Sequence, residues 1–327
     1  MKFFRIPFFL LLALITIISC KKEGENPWQK QEVAEAPSVQ VTDLSKEFYD
    51  TTISLEQFSQ KYPWFQGTVS DEDYTLRRQD ADEQKIYKEA ISKLDVAKLQ
   101  KELGKLFAQM QVYFPDFKTP HVYLYSSVLE GALDPVFYYK EEDKLFIDIT
   151  GFMGENNANY KGMEQYFQKS MNPQNMVPKV SQILGEHFLP PLQNQQKFLD
   201  QIIHEGKLLI LQDAFMPGEP DYLKINYTPE QYEWAAFHEA DIWNYFVENN
   251  LVFSDDARLA ERFIRPGPFS KFYTEIDNES SPQIGRYSGW QICRTYFKEK
   301  PETKLPDFLM MDAQQIFNES NYKPKNP

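Results

Sequence analysis

Residues 198–212 read FLDQIIHEGKLLILQ. The run begins as a zinc-hydrolase helix would and then departs from it. An H-E-x-x-H helix needs a second histidine one turn after the first. Two imidazoles on one face hold the metal while the glutamate polarises its water. His204 and Glu205 are in place, but the position one turn on is Leu208, whose side chain has no donor atom. This helix can supply at most one nitrogen at that face. At ~100° per residue its apolar face centres near Gly206, with Leu199, Ile202, Ile203, Leu209 and Ile210. Glu205 sits at the edge of that face. His204 falls outside it, unless both sides of the helix are covered.

A second H-E pair, His238–Glu239, lies in TPEQYEWAAFHEADIWNYFVENN, residues 228–250. Thr228 as N-cap, Pro229 at the first helical position and Gln231 three residues after the cap form a strong start signal. The pattern predicts one helix. Its wheel places Glu239 near the centre of an apolar face with Ala235, Ile242, Trp243 and Phe246, and turns His238 to the polar side with Asp241 and Tyr245. A carboxylate on an apolar face needs a partner or a proton. The expectation for Glu239 is a hydrogen bond or an ion pair to Arg or Lys. The alternative is a zinc site in which His204, His238 and Glu239 are ligands and Glu205 is the catalytic base. His204 is otherwise expected in a surface or hydrogen-bonding role, and His121 and His187 in structural ones.

Outward from these helices the period changes. HVYLYSSV, PVFYYK and KLFIDIT, all within 120–150, are β-branched and aromatic runs separated by turn residues. They predict a small antiparallel sheet. Residues 46–115 read as helical. Ser54 and Gln57 form a capping box, and Asp95 caps an amphipathic run through Val96, Leu99, Leu103, Leu106, Phe107 and Met110 that ends before Pro115. Residues 160–320 are helical again, broken at Pro190-Pro191 and by a loop from Ser254 to Ile284. Helices, a small sheet and more helices make an α+β fold, expected as one globular domain over 46–327.

The N-terminus has the parts of a secretory signal in 1–19. Lys2 and Arg5 precede an apolar run of about 11 residues, within the ~7–15 of an h-region and short of a span. Ile17-Ile18-Ser19-Cys20 resembles a bacterial lipobox. That resemblance implies cleavage before Cys20, a lipid on its sulfur and an acylated new terminus, the two or more chains that stable anchoring needs. Residues 20–45 follow as a lipidated N-terminus and polar tether, with Pro27 and Pro37 and no periodic apolar face through Val41. Lys21-Lys22-Glu23-Gly24-Glu25 is mixed in charge, so a periplasm-facing and a surface-exposed anchor both stay open. With Cys20 lipidated, Cys293 has no intrachain partner and is expected to be a small buried side chain.

Forty-two per cent of the 327 residues are hydrophobic and 15% aromatic, enough for a sizeable core. The formal net charge of −13, with no stripe of Lys and Arg, argues against a nucleic-acid partner. Asp255-Asp256 and Glu275, Asp277, Glu279 read as a solvated acidic loop, without the alternating oxygens and glycine of a calcium loop. No G-x-S-x-G, P-loop or dinucleotide fingerprint is present.

The C-terminal half carries a family resemblance. Residues 248–297, ENNLVFSDDARLAERFIRPGPFSKFYTEIDNESSPQIGRYSGWQICRTYF, with the tail NYKPKNP, resemble the gliding motility lipoprotein GldB family of Bacteroidetes. Arg262 to Trp290 is the most specific part. The resemblance extends to the lipobox, the aromatic sheet and the GKLLILQD and HEADIW helices. It implies an envelope lipoprotein that supports gliding and the associated protein secretion machinery. It also implies an architecture similar to zincin-like peptidases, degenerate at Leu208, and supplies no catalytic residue to transfer. The favoured expectation is a non-catalytic lipoprotein, without cofactor, that binds other envelope proteins. A zinc-dependent peptidase or hydrolase is the alternative, and a carbohydrate- or peptide-binding lipoprotein is a third.

Overall fold

The structure is a computed structural model that describes residues 36–65, 67–192, 197–275 and 277–324. The signal, Cys20 and the first part of the tether lie outside the described residues. Chain order begins with strand β1 (Val41–Asp43), then helices α1 (Leu44–Tyr49), α2 (Leu55–Lys61), α3 (Asp71–Gln79), α4 (Ala81–Ser92) and α5 (Val96–Tyr113). The Ser54–Gln57 capping box forms as read, and Asp95 accepts the Lys98 N–H at the start of α5. Three strands follow: β2 (His121–Tyr125), β3 (Val136–Tyr139) and β4 (Lys144–Asp148).

The sheet corrects the antiparallel expectation. Its order is β1-β2-β4-β3, with β1–β2 and β2–β4 parallel and only β3–β4 antiparallel. Side-chain alternation is the same in either direction, so the pattern could not distinguish them. The left-handed Asp143 (φ 48°) closes the tight β3–β4 hairpin. The 126–135 connection instead carries the chain past the β4 position to the sheet edge. Residues 39–45, read as tether, belong to the fold. Val39 and Leu44 are buried, and Val41 pairs with Val122.

Both faces of this sheet are covered, as parallel strands require. Val122, Leu124, Leu145 and Ile147 face the main core. Tyr123 faces the other way, into an aromatic cluster with Phe48, Phe58, Tyr62 and Tyr74 from α1 to α3.

The rest is helical: α6 (Gln165–Gln168), α7 (Met176–Glu186), α8 (Phe198–Phe215), α9 (Asp221–Ile225), α10 (Pro229–Phe237), α11 (Glu239–Glu248), α12 (Arg258–Phe263), α13 (Ile284–Glu299), α14 (Leu305–Met310) and α15 (Ala313–Ser320). The acidic loop after Ser254 thus contains α12. Among its acids, Asp277 accepts the backbone N–H groups of Phe272, Tyr273 and Thr274. The helix expected over 228–250 is two helices, because His238 leaves helical geometry (φ −96°, ψ 14°) with its ring against Trp234. Every residue of α8 from Gly206 to Phe215 is buried. Both sides of that helix are covered, and His204 is half-buried instead of solvent-facing. Each large side chain so buried stabilises the fold by roughly 1.5–3 kcal/mol.

Candidate functional site

The site is organised by the crossing of α8 and α13, which only glycine permits. A Cβ on Gly289 would lie 1.6 Å from the Ile202 carbonyl oxygen, and one on Gly206 2.3 Å from the Gly289 carbonyl oxygen. The two backbones therefore touch, and charged residues flanking the seam are brought into pairs.

At one end of the seam the charges form a closed network. Asp213 accepts from Lys224 Nζ (2.9 Å), Arg294 Nη2 (2.7 Å) and Trp290 Nε1 (2.9 Å). Asp221 accepts from Arg294 Nη1 (2.7 Å), Lys224 Nζ (3.2 Å) and Tyr232 Oη (3.0 Å). Two carboxylates meet two cations, and Asp213 and Lys224 are only 2% and 3% exposed. Burial alone would raise the Asp221 carboxyl. Hydrogen bonding and charge from Arg294, followed by Lys224, outweigh it and hold the group at about 2.

At the other end stand the residues singled out by the H-E pairs. Glu205 Oε2 accepts from Arg286 Nε at 2.9 Å. Glu239 opens α11, where the helix dipole favours a carboxylate. It accepts from Tyr287 Oη (3.1 Å) and Tyr322 Oη (2.9 Å), so of the two expectations the hydrogen bond is found, with phenols as the donors. Burial first, and then the Glu239 charge, raise both phenols above their ordinary range. His238 Nδ1 lies 3.5 Å from Asp241, away from this cluster. Burial lowers the His204 imidazole, with Glu205 opposing. Glu205 and Glu239 thus reach successive residues of α13 but each is held by its own donors. Among the described residues no three His, Cys, Asp or Glu side chains are grouped closely enough to hold a metal ion. Cys293, next along the seam, is free and buried.

Arg286 also faces a cavity of about 180 Å³ between the 132–135 and 151–152 segments, α7 and the start of α13. Its Nε is taken by Glu205 and its Nη1 lies 3.5 Å from Gln283 Oε1. Its Nη2 is buried with no partner among the described residues. Lys179 lines the same space; burial lowers its ammonium, Arg286 adds to this, and Asp134 and Glu186 oppose. Asn175, 4% exposed, donates Nδ2 to Asn226 and leaves Oδ1 unpartnered. Gln283 sits at the rim in the left-handed region (φ 51°), costly for a residue with a Cβ. Its Nε2 is anchored to the Ile264 carbonyl.

The sequence matches the family described as gliding motility protein GldB over residues 26–324. The chain belongs to that family. No curated protein and no solved structure matches it. Membership of the GldB family makes the chain one of the cell-envelope lipoproteins tied to gliding motility. Among the described residues no helix is long and apolar enough to cross a membrane.

In this GldB-family chain the H-E motifs led to Glu205 and Glu239 but not to Arg286, Lys179 or the Asp213–Arg294 network. Two signals were available. Asp213 interrupts the apolar run LLILQDAF, and Gly285 and Gly289 stand one turn apart beside Arg286 and Arg294. Charges beside a small-residue helix face are candidates for pairing across a close helix crossing.

Proposed function

We propose that this protein is a non-catalytic envelope lipoprotein, acylated at Cys20, that supports gliding and the associated secretion machinery by binding other envelope proteins. Family membership over nearly the whole chain carries the link to gliding. The non-catalytic part rests on one observation: the Glu205 carboxylate is neutralised by the Arg286 guanidinium. A hydrolytic base must be free to take a proton from water. The zinc alternative fits the residues poorly as well. Leu208 offers no donor, and Glu239 is already satisfied by two phenols.

Complementation of a non-gliding deletion strain tests this reading. Glu205→Gln is expected to restore gliding at normal protein level, and Cys20→Ala to fail. Loss of gliding with Glu205→Gln at unchanged abundance, or a stoichiometric zinc ion in the purified protein, would overturn it.

A further inference from the structure

The break between α10 and α11 turns a group of rings out to solvent. His238 leaves helical geometry there. Its imidazole lies 4.5 Å from the Trp234 ring and 5.0 Å from the Phe237 ring, centroid to centroid. Phe237 is 64% exposed, and Trp234 and His238 are half-buried. A single exposed apolar residue needs no explanation, but three rings in contact form a patch. Glu233, one residue before Trp234, and Asp241, one turn beyond His238, stand exposed at its sides. Among the described residues neither carboxylate is paired with Lys or Arg, and Asp241 has the His238 imidazole 3.5 Å away. From Ile225 to Ala257 the chain carries seven carboxylates and no Lys or Arg, in a protein of net charge −13. Of those near the rings, Glu239 is held by two phenols and Glu230 has Lys169 nearby. Glu233 and Asp241 remain beside the patch.

We propose that this face docks a basic segment of a partner protein, with an Arg or Lys side chain lying on Phe237 and Trp234 between Glu233 and Asp241. The occupant follows from charge and from ring chemistry. The face of an aromatic ring is the negative part of its quadrupole and attracts a guanidinium or an ammonium. The aliphatic stem of the same side chain covers apolar ring surface. The carboxylates beside the rings receive the charged head and repel an acidic partner. They also set a second copy of this acidic chain against itself. Aromatic anchors at the centre of a patch with a polar rim are the usual make-up of an interface that binds through a few residues. The inference rests on the proposed partner-binding role and deepens it by stating the chemistry of the partner.

Fluorescence anisotropy on the full lipidated chain in detergent tests it, with three dye-labelled probes: hexa-arginine, hexa-glutamine and hexa-glutamate. Hexa-arginine is expected to bind and the other two are not. An acidic protein also attracts cations without specificity, so variants locate the site. Phe237→Ser should weaken hexa-arginine by about 2- to 5-fold, the worth of an exposed cation–π contact. Glu233→Gln with Asp241→Asn should weaken it by roughly 2- to 10-fold. Glu141→Gln with Glu302→Gln makes the same charge change at exposed sites elsewhere. It should have less effect, because at 0.15 M salt charges more than ~8 Å away are largely screened. All these side chains are exposed, so the urea midpoint of each variant should match that of the unsubstituted protein. Equal losses in the two double variants would make the binding a general charge effect and overturn the proposal. So would hexa-glutamine binding as tightly as hexa-arginine, undiminished binding by Phe237→Ser, or no binding of hexa-arginine. Self-association in sedimentation that Phe237→Ser abolishes would assign the face to a second copy and remove the basic partner. Gliding by a strain whose Phe237→Ser, Glu233→Gln and Asp241→Asn protein no longer binds hexa-arginine would uphold the docking face while separating it from gliding. Loss of gliding with Glu205→Gln would instead remove the non-catalytic reading, and hexa-arginine binding by that variant would still uphold this face.

Discussion

The two ends of the α8–α13 seam contain similar parts in different states. At the Asp213 end, two carboxylates and two cations share eight hydrogen bonds, counting those from Trp290 and Tyr232, and the group is closed. At the Glu205 end one carboxylate meets one guanidinium, and that guanidinium keeps a buried N–H without a partner among the described residues. A closed network holds helices together, and breaking it leaves buried charge behind. An open one leaves a buried donor unsatisfied and its share of stability unrealised.

Disturbing the seam itself should have the largest effect. Gly289→Ala drives a methyl group into the Ile202 carbonyl and disrupts both ends at once. The loss should exceed the ~1–3 kcal/mol of ordinary overpacking, and soluble yield together with urea unfolding would show it. Breaking only the closed end, Asp213→Asn should cost about 3–5 kcal/mol, since Lys224 and Arg294 lose a buried counter-charge. A urea midpoint close to that of the unsubstituted protein would mean the network carries little stability.

The Asp221 carboxyl gives the closed end a signature in acid. Its folded value, about 2, lies below the ordinary range. Its contribution is therefore fully present above the unfolded value near ~4 and is lost as pH falls through ~2. The stability difference between the unsubstituted protein and Asp221→Asn should be constant at neutral pH and shrink across that window, by on the order of 2 kcal/mol. A difference that shrinks above pH ~5 would contradict the assignment.

The open end should respond more weakly, and at Lys179 without loss. Glu205→Gln removes one counter-charge from Arg286 and should cost ~1–3 kcal/mol. Lys179→Met removes an ammonium whose charged form burial disfavours. It should be neutral or stabilising within about 0.5 kcal/mol, as thermal denaturation can check. A large loss at Lys179 would place it with the closed network and dissolve the contrast between the ends.

Much of the framework was legible residue by residue. The caps at Ser54, Asp95 and Thr228, the break at Pro190-Pro191 and the three strand segments in 120–150 follow from local chemistry. Strand direction did not, because alternation is blind to it. The placement of His204 was misleading, since a wheel assumes one buried face and α8 is covered on both. The split at His238 was hidden behind a strong start signal at Thr228, which says where a helix begins but nothing about its continuity.

Sequence alone determined the class, the family and the failure of the H-E-x-x-H pattern, because a missing donor at Leu208 and the order of apolar runs are properties of the chain itself. Only the tertiary structure decided that Glu205 would meet a guanidinium, that Glu239 would meet two phenols from α13 and the C-terminal segment, and that Arg286 would keep a buried N–H without a partner among the described residues. Those outcomes depend on which residues stand opposite one another when two glycine-lined helices touch, and contacts between positions some 80 residues apart are not written in either segment alone.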